Sequence, residues 1–595
     1  MENLDRQLGQ LENAQIVRRI AGEDLEYQFK HALMQDAAYN SLLVKRRREI
    51  HQRVAECIER IYPQRLDEFA AVLAQHYAEA GDERRTLEHA ARAGDLAARV
   101  YANAESITQY TRALVAAERT GAPGSRVAYL YTRRGRAYEL SGQYAQALEN
   151  YAEMASLAHR RGDPALELES LMLCAIIRAT PTRMFDPAQA RALTDRALAL
   201  ARDLQDRAAE AKALWIRGLL HWFTSHTPEA TQDGEASLAL ARQFNLREQL
   251  AFTLNNLGYP YFSAGRTDEA LATAAEACEL WRELDNQPML ADTLGNLAEH
   301  GFALGEYEPA LRHGAQALRL SQGIGSLWGQ SFSQFYTGHI YWERGEPDRA
   351  IPIMRDCIRL AEEAGFAVPQ FGTRADLGWV YAGLGAIETG LELVRTAQRI
   401  AQSFPVFRSW TPATLARIHL HMGDIAAAQK VLRQAHASAP PDYIGNLYPT
   451  DGCVLAFAEI ELALAQAEHT AALAIADPLI HFLEGARLRT FLPEARYLAA
   501  QARLGQGERD RALQELVAGR EVAEAIGSRR ILWQTLFMQS QLEAERGDAA
   551  AARTLCGQAR EIVVFIVDHT PPDLRESFLN TPEVRAVMTF VPSAL

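Results

Sequence analysis

The sequence predicts an all-α protein, a right-handed α-solenoid of stacked helical hairpins behind a short N-terminal segment of different pattern. Three observations carry this expectation. A Gly-x-x-x-x-Ala pattern recurs along most of the chain. Apolar stripes at helical spacing flank each of its glycines. And 595 residues are too many for one compact core, whereas an array lengthens without enlarging any single core.

The pattern stands at Gly142/Ala147, Gly265/Ala270, Gly305/Ala310, Gly345/Ala350, Gly423/Ala428, Gly507/Ala512 and Gly547/Ala552, with Gly385/Gly390 as a variant. Gly265, Gly305, Gly345 and Gly385 follow one another at one constant interval, and Gly507 and Gly547 repeat it. Stepping back from Gly265 by the same interval reaches Ser225/Ala230 and Phe185/Ala190, where the glycine is lost and the alanine kept. The physical content is a hairpin. Glycine closes the first helix in the left-handed conformation that few other residues tolerate. Polar residues or proline (Arg266-Thr267-Asp268, Glu346-Pro347-Asp348) open the second helix, and the small alanine lets the two helices approach. The unit near Gln466-Ala467 is degenerate, and Pro440-Pro441 before it predicts a bend.

The run NLGYPYFSAGRTDEALATAAEAC from Asn256 resembles the tetratricopeptide (TPR) pattern, with Leu257, Gly258, Tyr261, Ala270 and Ala277 on its packing positions. Gly135, Tyr138, Ala147 and Tyr151 match likewise, as do Gly338, Tyr341 and Ala350. The period, about 40 residues, exceeds the roughly 34 residues usual for that pattern, which implies longer helices and about a dozen hairpins from Ala102 onward.

Residues 1–66 lie outside the repeat. Leu8, Leu11, Ile16 and Val17 predict a helix, Glu26–Phe29 a short strand, and helices follow around His31–Leu43 and Ile50–Ile61. The string YQFKHALMQDAAYNSLLVKRRREIHQRVAECIE is similar to the segment that joins ATPase and TPR-like modules in bacterial STAND or AAA-type regulators. Many of these are fused to class III nucleotide cyclases. The resemblance implies a winged-helix-like segment over 1–66, transitional hairpins over 67–120, a TPR-like array over 121–570 and a capping segment over 571–595. Pro571–Leu579 resembles the helix that ends such arrays. It further implies a sensor or regulatory scaffold, or else the C-terminal portion of a cyclase or ATPase whose catalytic modules lie upstream; a free-standing adaptor is a third expectation. None of the four lysines (Lys30, Lys45, Lys212, Lys430) follows a glycine, so the phosphate-cradling GxxxxGK[ST] loop is absent from the sequence.

The remaining chemistry narrows the choice. With 62 basic and 75 acidic residues the net charge is −13, which disfavours phosphate-driven nucleic-acid binding. Lys45 to Arg48 read as a solvated helix face. The six cysteines are scattered without a CxxC pair, so no zinc or redox motif arises and a reducing compartment is expected. His419 and His421 are two apart and share no helical face. No signal peptide is visible, and the apolar run Ile562–Val567 is too short to span a bilayer. The expectation is a cytoplasmic, non-enzymatic scaffold without metal or cofactor, binding a protein or small-molecule effector but neither nucleic acid nor membrane.

The aromatic residues supply the candidate site. Seven of the eight tryptophans lie between Trp215 and Trp410, while Trp533 stands alone. The concave stripe of a TPR-like array takes positions 2, 5, 9 and 12 of each unit. With Gly258 at position 8, these are Phe252, Asn255, Tyr259 and Phe262. The neighbouring units add Trp215, Trp222, Phe302, Phe332, Phe335, His339, Trp342 and Trp379. Two readings of these rings stay open here: packing between helices, or a groove whose rigid aromatics bind a partner. The stripe is aromatic and acidic, which argues against a Lys/Arg/Asn clamp for C-terminal carboxylates.

Overall fold

The computed structural model describes residues 2–20, 26–402, 407–436, 439 and 443–591. Among these it has thirty helices and one two-stranded sheet. They fall into two compact units, Met1–Tyr138 and Glu139–Leu595.

In the first unit the helix Glu2–Asn13 ends before the point the sequence pattern reached. Gln15 takes a left-handed φ of 59°, and Ile16 and Val17 leave the helix. β-branched Val17 instead opens the strand Val17–Ile20, antiparallel to Glu26–Phe29 with Val17 opposite Phe29. The helix Ala32–Ser41 buries no residue, and Val44–Ile61 buries only Ala55. Packing improves from Ala70 onward. Tyr77 is fully buried, Asp82 caps the next helix by accepting from the Arg85 amide, and Gly94 leaves room for the Tyr110 ring.

The second unit is the array. Its left-handed residues keep a stricter rhythm than the glycines alone show. Gln205, Ser225, Asn245, Gly265, Asp285, Gly305, Gly325, Gly345, Gly365 and Gly385 all have positive φ, and they fall at every twentieth position. The repeat unit is therefore two nearly equal helices, such as Arg247–Ser263 and Thr267–Glu283, each of 17 residues. The corner geometry is a Schellman turn. After Gly265 the Arg266 amide donates back to the Tyr261 carbonyl at 2.8 Å, and Glu306→Gly301 and Glu346→Tyr341 repeat it. The motif alanines Ala270, Ala310 and Ala350 are buried where the two helices cross.

The array comes round on itself. Gly142 meets Ala364, Gly265 meets Ala486, Gly305 meets Ile526 and Gly345 meets Ile566, so the sequence separation across these contacts stays constant to within one position. One superhelical turn thus takes about eleven helix-and-corner steps, and the glycine corners of one turn seat on helix ends of the next. Further bonds cross this seam: Thr227 Oγ1 donates to the Asn446 carbonyl at 2.6 Å, the Asp348 amide to the His569 carbonyl at 2.8 Å, and Ser577 Oγ to the Leu384 carbonyl at 2.8 Å.

The rhythm breaks after Gly385. Trp410–His421 and Ile425–His436 have only 12 residues each. The bend expected at Pro440-Pro441 lies outside the described residues. Beyond it Tyr443, Leu447 and Tyr448 join the core cluster that also holds Trp222, Phe262, Phe302 and Phe335. At the C-terminal end Pro572–Leu579 and Pro582–Thr589 bury Leu574, Phe578, Val584 and Val587.

Candidate functional site

The first helices of successive hairpins bring the aromatic stripe together, but mostly inside the protein. Trp222 stacks on Tyr259 at 4.4 Å and meets Tyr448 edge-on at 5.9 Å. Phe262 has no exposed surface and stacks on His300 at 4.3 Å. Phe302 packs on Tyr336 and Phe491, Phe332 on Trp328 and Phe366, and Phe335 against Trp410. Trp215 is buried against half-buried Phe252, and its indole donates to Asn256 Oδ1 at 2.9 Å.

The polar members are held as tightly. Asn255 donates to Asp292 at 2.8 Å and accepts from Thr293 at 2.6 Å, and the Tyr259 hydroxyl donates to Asn296 Oδ1 at 2.7 Å. His339 Nε2 lies 2.8 Å from Asp376 Oδ2, whose other oxygen accepts from the Trp410 indole at 2.9 Å. Burial pulls the His339 imidazole down, but the facing Asp376 outweighs it and leaves the pKa raised.

Burial also strands ionisable groups here. It pushes the Glu299 carboxyl up to about 7, against the opposing effect of the Tyr336 and Tyr448 hydroxyls. Asp451 is likewise pushed up to about 7, with one oxygen accepting from Ser409 at 2.7 Å and the other without a partner among the described residues. The His300 ring, driven down to about 3 by burial, is a neutral packing element.

Two members of the stripe, Trp342 and Trp379, end elsewhere. Both line a cleft of about 70 Å³ at the seam between turns, together with Trp533, Ile566 and Phe578 from the later turn. Two glycines shape it. At Gly383 a Cβ would stand 3.2 Å from the Trp342 ring, so that ring lies directly on the backbone of the helix Ala367–Gly383. At Gly345 a Cβ would come within 2.8 Å of Ile566.

Behind the cleft runs a buried ion network. Arg530 donates to Glu343 and to Glu494, each at 2.7 Å, and Ser528 donates to the other Glu343 oxygen at 2.6 Å. Glu494 also accepts from Arg417, which pairs with Glu461 at 2.7 Å and lies over the Trp379 ring at 4.1 Å. Burial raises the Glu494 carboxyl, yet Arg530 and Arg417 together hold it down to about 2.

Of the residues lining the cleft, the helical stripe marks Trp342 and Trp379 but not Trp533 or Arg530. These lie far downstream, and only the superhelical return brings them across. No local motif marks them. Among the described residues there is no cluster of His, Cys, Asp or Glu able to hold a metal, the cysteines are free, and no helix is long and apolar enough to cross a membrane.

Fold and repeat together define a TPR-like helical-repeat scaffold. The sequence profile described as the MalT-like TPR region matches residues 211–527, and the chain belongs to that family, the TPR-like region of STAND/AAA-type regulatory ATPases. A search of curated proteins returns no match. Among solved structures, the Rap protein complexed with competence and sporulation factor is similar at 12% identity and TM-score 0.45, over 60% of this chain and 98% of that one. Yeast Tom70 is similar at 15% identity and TM-score 0.34, over 85% and 99% of the two chains. The Cut9–Hcn1 hetero-tetramer of APC/C is similar at 14% and 0.32, over 82% and 96%.

Proposed function

We propose that the chain is the non-catalytic sensor scaffold of a bacterial, cytoplasmic STAND/AAA-type regulator, taking a protein or small-molecule effector and relaying its occupancy to the ATPase output. The observation that carries this reading is the tryptophan cleft: its walls come from two successive turns of one array, so an occupant touches both and changes how they seat. Of the twelve stripe residues, Trp342 and Trp379 are the pair we assign to effector contact. The others, packed as described, support the helices that carry them.

Melting curves of the whole chain with fractionated cytosolic extract test the reading, run on wild type, Trp379→Ala and Trp533→Ala. A fraction that raises the wild-type melting temperature and leaves both variants unmoved is expected, because a ligand stabilises only the state it binds. Equal shifts of all three by every active fraction, no active fraction at all, or Mg²⁺-dependent ATP turnover by the chain alone, would overturn it.

A further inference from the structure

We infer that copies of this chain stack head to tail, with apolar side chains on one edge of the array seated in the open glycine corners on the opposite edge of a second copy. The inference is independent of the cleft and of what fills it.

The molecule already makes this contact between its own two turns. Gly265 sits against Ala486 and Gly305 against Ile526, where a Cβ on the glycine would come within 3.2 Å and 2.6 Å of the facing side chain. Ala486 and Ile526 share one place in the repeat: each stands at the end of the second helix of a hairpin, immediately before a left-handed residue, Arg487 or Gly527. An arginine follows three positions on, and it too lies on a glycine corner. Arg489 is beside Gly305, while Arg529 is beside Gly345 and donates to the Arg344 carbonyl at 3.2 Å. The glycine corner is a seat, filled by an apolar side chain and by the arginine of the preceding unit.

Both halves of that contact recur uncovered. In the earlier turn the same place in the repeat holds Leu204, Phe244 and Leu284, which immediately precede left-handed Gln205, Asn245 and Asp285. They are 40%, 45% and 37% exposed, whereas Ala486 and Ile526 are buried. Arg207 and Arg247 stand three positions after the first two and are exposed as well. Single exposed apolar residues are ordinary, but three in consecutive repeats at one structural position make a row. In the later turn Gly507 and Gly547 are left-handed corners where a Cβ would meet nothing within 4 Å. They are one repeat apart, as Leu204 and Phe244 are, so two members of the row match two corners.

The occupant of each edge is therefore a second copy, because each free edge carries the half of the seam that the other lacks. Seating the row of one copy on the corners of the next repeats between chains the packing already present within one. The two edges are different surfaces, so the contact is heterologous. Each added copy leaves the same pair of edges free, and the assembly is open-ended.

Sedimentation velocity of the full chain between about 1 and about 300 µM tests this, since a contact this small should have a dissociation constant on the order of 10–100 µM. The wild-type average mass should climb with concentration and pass beyond a dimer. A row variant, Leu204→Ser/Phe244→Ser/Leu284→Ser, should associate with itself at least about tenfold more weakly. So should a corner variant, Gly507→Asn/Gly547→Asn, whose new side chains fill the seats; asparagine suits the left-handed position, as Asn245 shows at φ 53°. The two variants mixed should form pairs and nothing larger, because one keeps its corners and the other its row. Melting curves check that each variant is folded. Should the corner variant fail to fold, excess row variant added to wild type gives the same answer: it has corners but no row, so it should cap the growing stacks and lower their mass.

A wild-type chain that stays monomeric throughout overturns the inference, as does a row variant that associates like wild type. Loss of association in the row variant, without pairing in the mixture or capping of wild type, overturns the head-to-tail arrangement, since that is how row-against-row dimers would behave.

Discussion

Gly305 and Gly547 occupy the same place in the repeat, each opening its Gly-x-x-x-x-Ala motif, and both are left-handed, at φ 76° and 86°. Their surroundings differ. A Cβ on Gly305 would stand 2.6 Å from Ile526 Cγ2 and 3.2 Å from its Cβ, whereas one on Gly547 would meet nothing within 4 Å. Gly142, Gly265 and Gly345 have contacts of the first kind, and Gly507 is of the second. The motif thus encodes the hairpin, while the surroundings of its corner depend on whether a further superhelical turn of chain follows to come round and cover it. Identical sequence signals are structural seams in one half of the array and free edges in the other.

The largest effect should come from the ion network that crosses the seam. Arg530→Met leaves Glu343 and Glu494 buried with one partner fewer, and breaking a buried pair from one side costs about 3–5 kcal/mol. The exposed pair Arg509–Glu545, on the free-edge side, should be worth less than about 1 kcal/mol when Arg509 becomes Ala. Urea denaturation of the two variants decides it. If Arg530→Met costs no more than Arg509→Ala, the seam is not held by this network.

Beneath the seam, the inner face should make stability depend on pH. The folded Glu299 carboxyl titrates near 7 rather than near 4.5, so between those values the native state holds a proton that the unfolded chain releases. Stability therefore falls as pH rises from about 4.5 to about 7 and is level above, by about 3 kcal/mol for this one group. Asp451 adds a fall of the same sign. Glu299→Gln should flatten the slope in that window, seen in denaturation midpoints at pH 5, 6, 7 and 8. An unchanged slope in the variant would show that the inner face is hydrated rather than sealed by Tyr448.

The two corners themselves give the next measurement. Alanine at either glycine must adopt a left-handed conformation, at a cost of about 1–2 kcal/mol. At Gly305 the added methyl also pushes against a β-branched side chain, and such overpacking costs about 1–3 kcal/mol more. Gly305→Ala should therefore lower stability more than Gly547→Ala by that second amount. Equal losses would mean that Ile526 gives way freely and the turns are only loosely seated.

How much of this was legible beforehand follows from the range of each signal. Hairpins, corners and the closely packed alanines are local events within one repeat unit, and Gly265, Ala270 and Tyr261 displayed them directly. The aromatic stripe was also legible as a stripe. Its position predicts an inner face, but whether that face stays open depends on what later chain enters it. Here Tyr448, far downstream of Phe262 in the chain, lies against it. Trp342 and Trp379 obey the same helical rule as Phe262 and Phe335, and they border a cleft because Trp533 and Phe578 arrive beside them from the later turn. The N-terminal boundary failed for a different reason: Ile16 and Val17 fit a helical stripe by spacing, while their β-branched side chains, just past a left-handed Gln15, suit the strand they form.

The smallest effect concerns a corner where the motif has lost its glycine. Ala467 stands between the helices Pro449–Ala465 and His469–Gly485 with φ 59°, and the Glu468 amide completes the same turn by donating to the Ala463 carbonyl at 2.8 Å. The backbone thus adopts the shape that glycine elsewhere makes easy, against a steric cost of about 1–2 kcal/mol for an L side chain. Ala467 is exposed, so its methyl gains no packing in return. Ala467→Gly should remove that strain and lose about 0.5–1 kcal/mol to the greater freedom of the unfolded chain, for a net gain of roughly 0.5–1 kcal/mol. The change lies at a free corner, so it should leave the seam alone. It should add to the loss caused by Gly305→Ala without interaction, as distant independent sites do. A loss of stability in Ala467→Gly, or coupling with Gly305→Ala beyond about 0.5 kcal/mol, would mean that this corner also bears on the stacked turns, and the division between seam and edge would have to be redrawn.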